Sequence, residues 1–149
     1  MNRLYYILLP LLFSYAAFSQ SNNIEHPLDA EYQKCLQEDL GNYGERRCHI
    51  MFTEKWDEEL NHIYNGLIKL IEKHIGDPRT EYEAVDSTTL LNLKIAQRQW
   101  LKYRDDESQL IGKIYGRKGS MYYTLACRRR MSIVRQRALE LMYYSNSFR

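Results

Sequence analysis

Trp56-Asp57-Glu58-Glu59-Leu60-Asn61-His62-Ile63-Tyr64-Asn65-Gly66-Leu67-Ile68-Lys69-Leu70-Ile71 is the stretch that decides the fold. Its residues Trp56, Leu60, Ile63, Leu67 and Leu70 recur at steps of four, three, four and three. That is the repeat of one face of an α-helix, not the alternation of a strand. Ile50 and Phe52 extend the apolar pattern backward, so a long amphipathic helix is predicted from about Glu45 to Ile75. Gly76-Asp77-Pro78 stops it, because Gly suits the left-handed residue after a helix and Pro cannot continue the hydrogen-bond ladder.

Working outward, the residues between Pro27 and Leu40 repeat apolar side chains at helical steps, and Gly41-Asn42-Tyr43-Gly44 reads as a turn. Downstream, a polar connection from Asp77 to Asp86 leads to Ser87 as N-cap of a third helix through Leu90, Leu93, Ala96, Gln97, Trp100, Leu101, Arg104, Ile111 and Ile114. Gly112, Gly116 and Gly119 weaken its last turns. A fourth helix runs from near Ser120 to about Tyr144 on a stripe of Tyr123, Cys127, Met131, Val134, Ala138 and Leu141. No segment reads as a strand. Long helices joined by short links pack antiparallel, so the expected fold is all-α, an antiparallel up-and-down bundle of about four helices.

The chain begins with a cationic start, Met1-Asn2-Arg3, an apolar run from Leu4 to Phe13, and small residues at Ala17 and Ser19. This is the layout of a signal peptide over residues 1–19, cut before Gln20. The apolar run is shorter than the roughly 20 residues of a spanning helix, and no Cys near the cut offers a lipid anchor. Residues 20–149 then form a single exported domain, periplasmic or secreted, and not an integral membrane protein. The formal net charge is only +2, but acids prevail before Gln97 and bases after it. In a cytosolic chain the basic half would point to nucleic acid. Export excludes that partner, and side-by-side acidic and basic helices account for the asymmetry.

Three cysteines, Cys35, Cys48 and Cys127, remain in an exported chain, so at least one lies outside any intramolecular pair. Cys35 and Cys48 flank the Gly41 to Gly44 turn, which brings two consecutive helices within disulfide reach. Cys127 is expected to remain a buried thiol. A zinc site is not expected: Cys48 and His49 are adjacent on one helix and diverge, and His26, His62 and His74 are scattered. No cofactor is implied. Catalysis finds no support, since Asp57-Glu58-Glu59 fan around a helix and no phosphate loop or nucleophile elbow occurs. Arg128-Arg129-Arg130 either splays over a wet face or grips an anionic polymer.

Gln97, Trp100 and Arg104 share a helix face, and polar groups on a buried face imply an internal hydrogen-bonded network that sets helix register. Contact with a ligand is the alternative. Taken in order, Cys35 and Cys48, Leu60-Asn61 with Tyr64, Gln97 with Trp100, Arg104 and Asp105, then Cys127 and Arg137-Ala138 with Glu140-Leu141 form a pattern that resembles the LprI-like lysozyme-inhibitor family of bacterial envelope proteins. The resemblance spans nearly the whole mature chain. It implies a helical binding module, not an enzyme, with Asn61, Tyr64, Gln97, Trp100, Arg104, Asp105 and Arg137 as the family-motif core. It also implies a cysteine where this chain has Ser108, which leaves Cys127 without that partner. The expected function is inhibition of a lysozyme to protect peptidoglycan. The alternative is a structural or anionic-polymer-binding envelope protein whose partner is an envelope glycan or lipid. The loops Asp77 to Asp86 and Gly112 to Gly119 are the expected contact regions, the second through Lys113, Arg117 and Lys118.

Overall fold

The computed structural model describes residues 26–77, 85–115 and 119–148, and these form four helices and no strand. They are α1 (Pro27–Glu38), α2 (Gly41–His74), α3 (Ser87–Tyr115) and α4 (Ser120–Asn146). At 1.5 Å per residue, α2 is about 50 Å long and α3 and α4 about 40 Å, whereas α1 spans only about 18 Å. The expected signal peptide over residues 1–19 lies outside the described residues.

Local chemistry explains each helix end. Pro27 occupies the first turn of α1, where its missing N–H costs nothing, and the His26 ring accepts from the Leu28 backbone N–H at 3.3 Å. The expected turn over Gly41 to Gly44 is corrected: only Asp39 and Leu40 separate α1 from α2, and all four residues are helical. Gly41 takes the corner at φ +85°. Gly44 serves a different need, because a Cβ there would collide with the Asp39 carbonyl oxygen. Gly76, at φ +75°, follows α2 as the left-handed residue expected of it. For α3 the expected cap is also corrected by one residue. Asp86, not Ser87, accepts the Thr89 backbone N–H at 3.0 Å, and with the Thr88 hydroxyl as the leading cause its carboxyl is held below the usual range. Gly112 does not end α3, which continues to Tyr115.

Helix direction alternates along the chain. α1 runs antiparallel to α2, as its contacts with α2 pass from Cys48 near the α1 end to Glu59 near its start. α3 likewise runs against α4, pairing Gln97 with Arg137, Glu107 with Arg129 and Tyr115 with Tyr122. The dominant interface is nevertheless between α2 and α4, which are parallel. Asn42 meets Ser120 at their starts, and His74 meets Phe148 at their ends. A square bundle would place these two helices on its diagonal. Here α1 is too short to separate them, and Phe52, Trp56, Leu60, Leu67 and Ile71 interlock directly with Met131, Val134, Ala138 and Leu141. α3 buries only Gln97 and Ile111 fully.

Candidate functional site

The residues expected as the family-motif core form a polar brace between helices. Arg137 on α4 is only 9% exposed. Its Nε donates to Gln97 Oε1 at 3.1 Å across to α3, and its Nη1 donates to Glu140 at 3.1 Å. Two turns along α3, Arg104 donates to Asp57 of α2 at 3.0 Å and to neighbouring Asp105 at 3.0 Å, with its guanidinium 5.5 Å above the Trp100 ring. Asn61 extends the brace weakly, its amide 3.5 Å from Asp57, while Tyr64 packs half-buried against the core. Every such contact joins one helix to another or fixes a neighbour, and Asp57 and Arg104 also line a groove of ≈ 330 Å³ with Glu54, Glu58 and Arg130. The Trp100 ring is half-buried at the core margin. The wholly buried indole is Trp56.

A second cluster fastens α1. The disulfide joins Cys35 to Cys48. Beside it, the fully buried His49 ring donates from Nε2 to Glu45 at 3.3 Å and accepts the Tyr32 hydroxyl at Nδ1 at 2.9 Å. A neutral imidazole satisfies both bonds. Burial pushes its pKa down against the pull of Glu45, and burial pushes the Tyr32 phenol up. On the α4 side, Arg135 grips both Asp29 oxygens at 2.6 and 2.7 Å and lies 5.7 Å from the Trp56 ring, and the Asp29 bond raises its pKa further. The Trp56 indole N–H is buried without a partner. Neither Tyr32 with His49 nor Arg135 with Asp29 stood out in the sequence, because each pair joins residues far apart in the chain.

Cys127 is half-buried, not buried as expected. It lines a groove of ≈ 260 Å³ between α2 and α4 with Ile50, Thr53, Glu54, Tyr123 and Arg130. Desolvation raises its pKa despite Arg46 and Arg130 nearby, so the thiol is a poor nucleophile. Among the described residues no group of three or more His, Cys, Asp or Glu is placed to hold a metal, and no helix is long and apolar enough to cross a membrane. Of the expected contact residues, Lys113 is exposed on the last turn of α3, whereas Arg117 and Lys118 lie outside the described residues, as do residues 78–84 of the other loop.

The sequence profile of the family described as "Lysozyme inhibitor LprI" matches residues 29–141, a span that runs from the first turn of α1 to the last turns of α4. No curated protein and no solved structure matches the chain.

Proposed function

Since the chain belongs to the LprI lysozyme-inhibitor family, we propose that it is an exported binding protein of the cell envelope that inhibits a lysozyme and so protects peptidoglycan. The observation that carries this reading is the family match, which covers the whole interlocked bundle and not one helix of it. The disulfide between Cys35 and Cys48 supports export, since such bonds persist in oxidising compartments. The brace built on Gln97, Arg104 and Arg137 supports a rigid scaffold, and rigidity lowers the entropy cost of binding.

The test is a titration of the purified exported protein into c-type, g-type and i-type lysozymes while the clearing of a cell-wall suspension is followed. A stoichiometric block of at least one class is expected. Full lytic activity of all three classes at excess protein ends this reading. Salt-sensitive retention on isolated envelope, with no block, would instead favour a polymer-binding role for the basic face of α4.

A further inference from the structure

Where α2 and α4 both begin, the surface is apolar and aromatic. Leu40, Tyr43, Met121 and Tyr123 are exposed by 82%, 73%, 59% and 49%. Single exposed apolar residues are ordinary, but a group of them around a charged side chain marks an interaction surface. The charge is Arg46, one turn after Tyr43. Its guanidinium lies 4.7 Å from the Tyr43 ring centroid and 5.3 Å from that of Tyr123, so rings from two helices hold one cation between them.

The platform is rigid. Asn42 donates to the Ser120 hydroxyl at 3.1 Å, and the buried Thr124 hydroxyl donates to the Asn42 carbonyl at 3.2 Å. These bonds tie the first turn of α2 to that of α4, so Tyr43 and Tyr123 stand on fixed backbone. Tyr, Arg and Met are also the residues enriched at the energetic centres of protein interfaces.

We propose that this bundle end, centred on Tyr43, Arg46 and Tyr123 with Leu40 and Met121 at its margin, is the surface that docks a lysozyme, with Arg46 set against the carboxylates of the substrate cleft. The proposal rests on the inhibitor reading above. Charge complementarity selects the occupant: such a cleft carries a pair of carboxyl groups, one of them ionised, flanking the scissile bond. A planar guanidinium donates to two oxygens at once, and closing the cleft over it removes water and strengthens the pairing. Flat rings on either side fill the space in which sugar rings would lie.

The experiment compares the dissociation constants of the wild-type protein, Arg46→Glu, the double variant Tyr43→Ala/Tyr123→Ala, and the control Arg98→Glu on exposed α3 surface, for each lysozyme class, with and without chitotriose filling the cleft. Thermal melts check that each variant is folded. Arg46→Glu is expected to weaken binding at least 100-fold and the tyrosine pair at least 10-fold. Arg98→Glu should stay within twofold, and chitotriose should compete. Tyr43→Ala alone carries the test if Arg46→Glu unfolds the chain, because that ring is 73% exposed. Wild-type binding that survives the substitutions, or ignores chitotriose, overturns this surface and leaves the inhibitor reading standing. Wild type that binds no lysozyme overturns both. Retention on purified peptidoglycan that is lost in Arg46→Glu, without lysozyme binding, assigns the surface to glycan and overturns the proposal.

Discussion

Replacing Gln97 by Leu separates the brace from any role in ligand contact. Gln97 and Arg137 are exposed by only 6% and 9%, and the Arg137 Nε donates to Gln97 at 3.1 Å. Leu is close in size but removes the acceptor, so a buried guanidinium edge loses its partner. A hydrogen bond to a charged group is worth about 1.5–3 kcal/mol, with little chance of water replacing it at this depth. The added methyl groups return less than about 1 kcal/mol, because they face a cation and not an apolar wall. Gln97→Leu should therefore cost about 1–2 kcal/mol, read as a fall in the urea midpoint with unchanged slope. Arg137→Met removes the other partner. The double variant Gln97→Leu/Arg137→Met leaves no buried group unpaired, since Glu140, which also loses its bond to Arg137, is 43% exposed and solvated, so it should cost at least about 1 kcal/mol less than the two single changes added together. If the single effects add within about 0.5 kcal/mol, the two side chains are not coupled and the brace is not what holds α3 in register.

The two tryptophans should differ: Trp56→Ala is expected to cost about 3–5 kcal/mol, and half-buried Trp100→Ala no more than about half of that, measured by denaturant melts. Equal losses would contradict their burial. Reduction should lower stability by about 2–3 kcal/mol through the short loop closed by Cys35 and Cys48, with a peptide map of the oxidised protein joining only those two; any bridge to Cys127 rejects the assignment. Acid should loosen α1. The His49 pKa is depressed in the folded protein, so the unfolded chain binds more protons on acidification. Stability is then full above the ordinary histidine value of about 6.5 and declines as pH falls below it towards the lower folded pKa. His49→Phe should flatten that part of the pH profile, and an unchanged slope in the variant would exclude His49 as its source.

Much of this protein is legible without coordinates because helix formation is local. The three- and four-residue spacing from Trp56 to Ile71 defines α2, Gly76 ends it, and two cysteines flanking a short corner come within disulfide reach. The polar positions Gln97 and Arg104 announce themselves by sitting on the apolar face of α3. Even the opposition of acidic and basic segments becomes contacts, with Arg135 on Asp29 and Arg104 on Asp57.

Tertiary structure decided what covers each face. Periodicity says that Trp56 and Trp100 each lie on an apolar stripe, but only packing decides which ring is enclosed, and the close parallel approach of α2 and α4 encloses Trp56. The same approach sets Tyr123 beside Arg46, two residues that no local spacing relates. The spacing of residues along one helix follows from the geometry of a single chain segment, whereas the neighbour across an interface follows from the lengths and shapes of all the helices together. A 12-residue α1 cannot hold two helices of more than twice its length apart, and from that mismatch come the central parallel pair and the aromatic end where both helices start.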